Sequence, residues 1–562
     1  MHTVKILIVT DGGGGYQRPT AIPPPGNTAF HLGEFVQVLQ DTDWVGFNLQ
    51  ITKAHRRNPP GAGADVVDLK FDTHDLSQYD EILFFAIERD ETVANRATAA
   101  EVQAISNFMD AGGGVFATGD HEDLGAGLCR EIPRVRNMRR WYYDTAPAGF
   151  PVAPSGSSAD RHDTTRQGFD ALYQFSDQSD TIAQEITPRL YFGGGNRYFH
   201  WRYPHPLLCS PHGVVRHLPD HPHEGQCEVP ANLGLTVLGQ DEYPVLPGSS
   251  TRLAPELVAT GRVIGGHNLL NNSGGEFKPT VNEKTFGVIG AYDGHRIVRG
   301  STRLGRVVVD STWHHFFNVN LMGAQTAGVD GSGGDFVKER GFYAPLNPGQ
   351  ADHYRMIKHY FRNIVYWLIP AGRYRWIFDI FDRFVASPFF YEEFRFPFRD
   401  HAHIPIRIHF ALAQLAEQYF ASVHGACSVP LFVGVLWREI PPLRPIWDKL
   451  QPLLDPWQPE LPQPKPGPDP LPWAAGGPTP QDLLRLLLGV TVASAVLAQR
   501  ELEGSKAKDI TAKRAELFEK LLPKVADHAI GEFREALKAQ RKEQGQYLEE
   551  MDALVGVAGK RG

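Results

Sequence analysis

The densest group of titratable residues in the sequence is a short loop that also contains two prolines. Two histidines and two acids fall within five residues, at Asp220, His221, His223 and Glu224. Imidazoles and carboxylates at this spacing suit a divalent metal, or a general acid–base pair in which a carboxylate orients the imidazole. The simpler alternative is that these side chains only hydrogen-bond the loop to the rest of the protein.

Titratable residues also follow four apolar segments, each of which predicts a strand. They are Asp11 after VKILIVT, Glu88 and Arg89 after EILFFAI, Asp120 and His121 after VFAT, and His314 and His315 shortly after GRVVVD. Ligands of open α/β sheets bind beyond the carboxyl ends of the strands. We therefore expect these groups to share one pocket with residues 220–224, which we call the histidine loop. Any one of them taken alone is equally well explained as a cap or a turn residue.

These residues divide into two predicted roles. The predicted ligands of a divalent metal (Zn, Mn or Fe) are Asp120, His121 and His221. The predicted catalytic residues are His223, Glu224, His314 and Arg89. In this hypothesis a histidine or Glu224 removes a proton from a positioned water, and the guanidinium stabilises developing negative charge.

The elements that must position these groups alternate between strands and helices. Apolar runs predict strands at Val4–Thr10, Glu81–Ile87, Val115–Thr118, Thr285–Ala291 and Gly305–Asp310, with helices between the first three. This alternation is typical of an open, mostly parallel α/β sheet. The last two strands are joined by a polar turn and predict a closing ribbon.

Several catalytic motifs are missing. The sequence has no GxSxG or GxCxG nucleophile elbow, and the glycine run Gly12–Gly15 lacks the lysine of a phosphate-binding P-loop. A glycine-rich loop after a first strand can still bind an anion through backbone N–H groups. Cys129 is better interpreted as a buried structural thiol than as a nucleophile.

Three segments carry a family resemblance: VKILIVTDGGGGY, YDEILFFAI and FMDAGGGVFATGDH. Together with His205-Pro206 and the closing strands, they resemble the ThuA-like (trehalose-utilisation) branch of the class I glutamine amidotransferase-like superfamily, over about residues 1–325. The resemblance implies a flavodoxin-like sheet with a carbohydrate-related or unassigned activity. Amidotransferases have a catalytic cysteine where this chain has Gly119-Asp120-His121, so glutaminase chemistry is not implied.

The remainder of the chain predicts a different organisation. Helical periodicity replaces the strand pattern after about residue 350, and 11 prolines fall in residues 452–480. The predicted regions are an α/β domain at 1–330 with a loop-rich excursion at 141–230, an all-helical region at 350–450, a proline-rich linker at 452–480 and C-terminal helices at 481–557.

The amino-acid composition excludes several classes of protein. The 562 residues are 42% hydrophobic and carry a net charge of −8, which excludes a globally disordered chain and gives no basic surface for nucleic acid. Four cysteines are too few for a disulfide framework. The longest uncharged apolar run, Leu486–Gln499, is 14 residues and shorter than a membrane span. We therefore predict a cytoplasmic protein that binds neither nucleic acid nor membrane.

Two functions fit these observations. The one we favour is a hydrolase or lyase, with or without a metal, that acts on a small, carbohydrate-related molecule. The alternative is a non-catalytic amidotransferase-like protein that binds a ligand or acts as a scaffold. In either case the C-terminal helices are candidates for contacts with a second copy or another protein.

Overall fold

The structure is a computed structural model of the 562-residue chain. It describes residues 2–20, 28, 30–59, 61–120, 123–142, 184–195, 200–219, 225–263, 266–268, 278–281, 284–322, 342, 348–393, 396–457, 479–503 and 510–558. The chain divides into two compact units. The α/β unit comprises Thr3–Arg189 and Pro204–Arg373, and the helical unit comprises Met1–His2, Leu190–Tyr203 and Tyr374–Gly562.

The strands vary from two to nine residues in length. In chain order they are β1 (His2–Thr10), β2 (Phe47–His55), β3 (Glu81–Phe85), β4 (Gly114–Thr118), β5 (Gln184–Glu185), β6 (Thr187–Pro188), β7 (Leu190–Gly195), β8 (His200–Pro204), β9 (Cys209–Ser210), β10 (Gly213–Val214), β11 (His217–Leu218), β12 (Thr236–Val237), β13 (Gln240–Asp241), β14 (Glu256–Val263), β15 (Gly266–Asn268), β16 (Lys278–Val281), β17 (Lys284–Tyr292), β18 (Val298–Arg299), β19 (Thr302–Arg303) and β20 (Val307–Asp310).

Helices follow and interrupt these strands. They are α1 (Gly33–Asp41), α2 (Ala99–Asp110), α3 (Ala126–Cys129), α4 (Val135–Met138), α5 (Asn318–Met322), α6 (Ala351–Leu368), α7 (Trp376–Val385), α8 (Pro388–Glu393), α9 (Ile406–Val423), α10 (Ser428–Glu439), α11 (Arg444–Leu454), α12 (Pro480–Glu501) and α13 (Ile510–Ala558).

An eight-stranded mixed sheet forms the centre of the α/β unit, in the order β2-β1-β3-β4-β20-β17-β14-β6. Strands β1, β3, β4 and β20 are parallel neighbours, and β17, β14 and β6 continue the sheet with antiparallel pairing. The prediction of an α/β protein is confirmed.

The parallel strands form because their sequences are apolar without interruption. Strands β3 and β4 are buried along their whole length, as expected for a sheet covered on both faces. Helix α2 begins at a capping box formed by Thr98 and Glu101, which satisfies the first free backbone N–H groups of the helix. The five strands predicted from the sequence are all present, with bounds that differ by two residues or fewer.

Other elements were not predicted, or were predicted differently. Strands β2 and β14 were not predicted, because β2 mixes polar and apolar residues and β14 contains a glycine and an arginine. The apolar and aromatic periodicity of the sequence predicts one helix over Arg373–Phe394. That prediction is wrong, since α7 ends at Val385 and α8 begins at Pro388. Proline lacks the N–H that would continue the first helix. Residues 458–478, most of the predicted proline-rich linker, lie outside the described residues.

Helix α12 is the central element of the helical unit and packs against α7, α9, α10 and α13. Its apolar residues from Leu486 to Ala498 are all buried. Gly489 is required there because a Cβ would collide with the backbone carbonyl of His409 in α9. The length and composition of α12 would allow it to cross a membrane, and 78% of its apolar window is buried inside the protein.

Candidate functional site

The carboxyl ends of four parallel strands lie in one row. Thr10 of β1 pairs with Phe85 of β3, Phe85 pairs with Thr118 of β4, and Thr118 pairs with Asp310 of β20. The segments that follow these residues therefore leave the sheet at one edge. This edge is where the sequence placed the titratable groups.

Asp120 and His314 lie side by side at this edge. The Nε2 atom of His314 is 3.4 Å from Oδ2 of Asp120, and both side chains are fully buried. Thr312 donates its hydroxyl to Oδ1 of Asp120 at 3.1 Å. The sequence predicted both residues of this pair for the site, and the structure brings them together.

The tautomer of His314 follows from its second nitrogen. Nδ1 is 2.6 Å from Oδ1 of Asn320, a pair in which the imidazole donates and the amide oxygen accepts. With Nδ1 protonated, one further proton shared between Nε2 and the Asp120 carboxylate makes the pair either imidazolium–carboxylate or imidazole–carboxylic acid. The indole of Trp313 covers the His314 ring at 4.0 Å.

Arg139 holds the backbone of both segments that carry this pair. Its guanidinium donates to the carbonyl oxygen of Asp120 at 2.6 Å and to that of Ser311 at 2.7 Å, and it stacks on the ring of Trp141. Arg139 is fully buried. Its planar set of N–H donors fits two backbone carbonyls at once, which a lysine does not do.

A second buried pair lies next to the first. Asp310 binds Nδ1 of His315 at 2.8 Å and accepts a hydrogen bond from the hydroxyl of Tyr360 at 2.6 Å. The backbone N–H of Thr312 also donates to Asp310. His315, Asp310 and Tyr360 thus form a buried network that connects β20 to α6.

Asp11 stands at the same edge, after β1. Its Oδ1 accepts hydrogen bonds from the backbone N–H groups of Ile87 and Glu88, while its buried Oδ2 has no hydrogen-bond partner among the described residues. Burial and the nearby charge of Glu88 raise the pKa of Asp11 to about 6. A carboxyl group with this pKa exchanges a proton readily near neutral pH.

The remaining predicted residues have different outcomes. Arg89, after β3, forms an ion pair with Asp123 at 2.9 Å. The other four predicted site residues, His121, His221, His223 and Glu224, lie outside the described residues. No three His, Cys, Asp or Glu side chains within the described part of the chain could hold a metal ion, and the metal site stays a prediction.

Gly225, the first described residue after the histidine loop, indicates where that loop joins the α/β unit. A Cβ on Gly225 would lie 2.6 Å from the carbonyl oxygen of Ser311 and would collide with the guanidinium of Arg139. Backbone therefore approaches the ends of β4 and β20 so closely that only glycine fits. Gly225 is bonded directly to Glu224 in the chain.

Sequence patterns did not single out the partners that complete these pairs. Thr312, Asn320, Arg139 and Tyr360 are ordinary residue types with no motif spacing, and Tyr360 comes from a helix 50 residues after Asp310. The sequence does not distinguish Arg139 from its neighbour Arg140, which is also followed by aromatic residues. Burial of Cys129 raises its thiol pKa, so the thiol stays protonated and is a poor nucleophile.

Comparison with known proteins does not extend this picture. No family model, curated protein or solved structure matches the chain.

Proposed function

We propose that this chain is a hydrolase or lyase whose acid–base group is the Asp120–His314 pair. The observation that carries the proposal is the 3.4 Å approach of His314 Nε2 to Asp120 Oδ2 at the carboxyl edge of the sheet. Imidazole and carboxyl groups both take up and release protons, and this pair stands at the sheet edge where ligands of open α/β sheets bind. An imidazole beside a carboxylate can give a proton to a leaving group and recover one from water.

The surrounding residues support this chemistry. Asn320 keeps Nδ1 protonated, so that Nε2 is the nitrogen that exchanges protons. Thr312 and Arg139 position Asp120, one through the carboxylate and the other through the backbone carbonyl. Asp11, with a pKa of about 6, stands two strands from β4 and adds a second group suited to proton transfer.

The proposed fold is flavodoxin-like. The first five strands of the sheet have the order β2-β1-β3-β4-β20, which is the 2-1-3-4-5 order of that fold. The order is also what the ThuA-like resemblance implies for residues 1–325. Under this proposal the substrate is a small polar molecule, carbohydrate-related, bound at the carboxyl edge.

We further propose that the histidine loop completes the site. Gly225 packs against Ser311 and Arg139, at the edge that holds Asp120 and His314. It directly follows Glu224, and one residue spans at most about 3.6 Å, so the C-terminal end of the histidine loop is tied to this edge. Glu224 and His223 would then assist the pair. If a divalent metal is bound, His121, His221 and Asp120 would hold it, and His314 alone would be the acid–base group. Elemental analysis of the gently purified chain tests the metal, with about one Zn, Mn or Fe per chain expected.

The catalytic proposal is tested by substitution of His314. We expect the full-length protein to hydrolyse at least one member of a panel of p-nitrophenyl glycosides, esters and phosphates. His314→Gln should lower kcat/KM by about 10²–10⁴ while the melting temperature stays within a few degrees. His212→Gln is the matched control, because His212 is exposed and belongs to none of the predicted sites.

One observation favours a second candidate function. Asp120 and His314 are both fully buried, as in a pair that only stabilises the protein. On this alternative the chain is a non-catalytic, amidotransferase-like ligand-binding or scaffold protein. His314→Gln would then lower the melting temperature strongly, and no member of the substrate panel would be turned over.

A further inference from the structure

Helix α6 carries four basic side chains that the proposed acid–base site does not use. Arg355, Lys358, His359 and Arg362 follow one another at intervals of one, three and four residues, all within two turns of the helix. Residues three and four apart on a helix are neighbours, with Cβ atoms about 5–6 Å from each other. These four side chains therefore lie along one side of α6, and we call them the basic stripe.

Arg362 is the member of the basic stripe whose bonding is least complete. It is half-buried, and its shielded Nε has no hydrogen-bond partner among the described residues. Its Nη2 is 3.5 Å from Oδ1 of Asn363, the outer limit of a hydrogen bond, and its guanidinium lies over the ring of Tyr366 at 5.9 Å. Burial lowers the pKa of Arg362, and no carboxylate of the described residues offsets that effect.

An arginine in this state lacks an acceptor. The guanidinium has five N–H donors, and a donor that is shielded from water without an acceptor carries a free-energy cost. Unsatisfied groups of this kind are rare in proteins and indicate a missing partner, such as a ligand or an ion. The partner that Arg362 lacks is an anion.

The two exposed members of the basic stripe are available to the same anion. Arg355 forms an ion pair with Asp352 at 3.2 Å, but both side chains are exposed, and a pair of this kind contributes little. Lys358 places its Nζ 4.4 Å from the centre of the Tyr354 ring, a contact that leaves its N–H donors open to solvent or a ligand.

His359 differs from the other three because it is uncharged at neutral pH. Burial and the positive charge of Arg362 lower the pKa of His359 to about 3. A neutral imidazole has one N–H donor and one acceptor nitrogen. The basic stripe thus combines three permanent positive charges with one neutral donor.

Acidic residues are scarce around the basic stripe. Asp352 is the only acid in α6, and residues 204–219, which include β9 and β11 and pack against this helix, contain none. The whole chain has a net charge of −8, so this region departs from the rest of the protein. A local group of positive charges raises the concentration of anions near it.

The extent of the basic stripe favours a small anion. From Arg355 to Arg362 the helix rises by only about 10 Å. A nucleic acid is bound by a longer basic face, because affinity grows with the number of phosphates that are neutralised. A single phosphate group, by contrast, accepts two hydrogen bonds from one guanidinium and has further oxygens for a neighbouring ammonium or imidazole.

We propose that the basic stripe of α6 binds a phosphate group, with Arg362 as its anchoring residue. Inorganic phosphate and the phosphate of a small ester share this chemistry. The site is separate from the Asp120–His314 pair, and the proposal stands even if that pair is only structural.

Isothermal titration calorimetry of the full-length protein with inorganic phosphate at low ionic strength tests the site. We expect one saturable site per chain, and Arg362→Gln should weaken it at least about tenfold because the charged two-pronged donor is lost. Arg407→Gln is the matched control, since it removes the same charge from an exposed arginine of α9, and should leave the affinity unchanged. No saturable binding up to about 10 mM phosphate, or equal losses in the two variants, overturns the proposal.

Two further variants make the test independent of how well Arg362→Gln folds. Arg362→Lys keeps the charge but not the planar donor set, and should recover part of the affinity. The double substitution Arg355→Gln with Lys358→Gln changes only exposed side chains and should weaken phosphate binding about tenfold with an unchanged melting temperature. A double variant that binds phosphate as tightly as the wild type would contradict the proposal.

Competition against bound phosphate distinguishes its two sources. Displacement by glycerol 3-phosphate at lower concentrations than by inorganic phosphate assigns the site to a phosphate ester, and equal or weaker displacement assigns it to free phosphate. Acetate has a negative charge but no tetrahedral oxyanion and should displace little. Displacement by acetate as effective as by phosphate would show only non-specific attraction to charge, and the proposal would be wrong.

Discussion

Two histidines that are neighbours in the sequence are held by this fold in different ways. His315 lies 2.8 Å from Asp310, whose carboxylate also accepts from Tyr360 and from a backbone N–H. His314 lies 3.4 Å from Asp120, with its other nitrogen fixed by Asn320. Equal residue types at one sheet edge are thus held at different distances. The proposed function assigns proton transfer to the longer of the two pairs and a structural role to the shorter.

The largest effect is expected from Arg139, which is bonded to the backbone beneath both pairs. Arg139→Lys cannot satisfy the carbonyls of Asp120 and Ser311 together, and we expect a loss of about 3–5 kcal/mol in the free energy of unfolding. Urea denaturation measures it. Arg140→Lys is the control, because Arg140 is part-buried and paired with Glu228, and should cost under about 1 kcal/mol. Equal losses would show that Arg139 has no special part in holding the two pairs.

Asp11 offers a third carboxyl on the same edge, one without an imidazole. Its pKa rises from 3.8 to about 6 on folding, so the neutral form is favoured and the folded protein loses stability as the pH rises through that range. Asp11→Asn removes the penalty. We expect wild type and variant to match below pH 4, and the variant to be more stable by about 3 kcal/mol above pH 7.

Denaturant unfolding of both proteins across this pH range measures the difference. The amide oxygen of the asparagine can still accept from the backbone N–H groups of Ile87 and Glu88, so no hydrogen bond is lost. A difference that does not change with pH would mean that Asp11 has the same pKa in the folded and the unfolded protein.

The two histidines themselves give the next largest effect. His315→Gln leaves Asp310 in a buried network without its imidazole, and should cost about 2–3 kcal/mol of unfolding free energy. His314→Gln should cost under about 1 kcal/mol, because Asp120 retains the Thr312 hydroxyl. Thermal unfolding of the two variants side by side compares the pairs directly. Equal destabilisation would remove the distinction between a structural and a functional pair.

The smallest effect concerns the hydroxyl of Tyr360. Tyr360→Phe deletes one hydrogen bond to Asp310 and nothing else, so we expect a loss of about 1–2 kcal/mol in unfolding free energy with no change in turnover. Calorimetry and the substrate panel measure the two quantities. A loss of turnover that exceeds the loss of stability would assign the Asp310 network to catalysis.

Sequence patterns predicted the elements with strong local signals. The continuous apolar runs of β1, β3 and β4 and the capping box of α2 are local features, and the structure confirms them. Strand β2 was missed because five of its nine residues are polar or charged, and its place is decided by pairing with β1. The break between α7 and α8 was missed because aromatic periodicity continues across Pro388.

For the candidate site, too, the sequence indicated the positions along the sheet edge but not the individual contacts. Placing Asp120 and His314 at one edge needed only the rule that parallel strands end together, and the row from Thr10 to Asp310 bears it out. Choosing which histidine meets which carboxylate was beyond sequence reasoning. That choice depends on the turn at Thr312, whose hydroxyl and backbone N–H bind different aspartates.

The amino-acid sequence alone determined the α/β class, the strands of the parallel sheet and the residues that stand at their ends, because these follow from local periodicity and chain order. Only the tertiary structure decided that Asp120 meets His314 while Asp310 meets His315, and that a buried arginine holds both segments. Those contacts join residues up to about 190 positions apart, and they form only because the packing of distant segments brings these side chains within reach of each other.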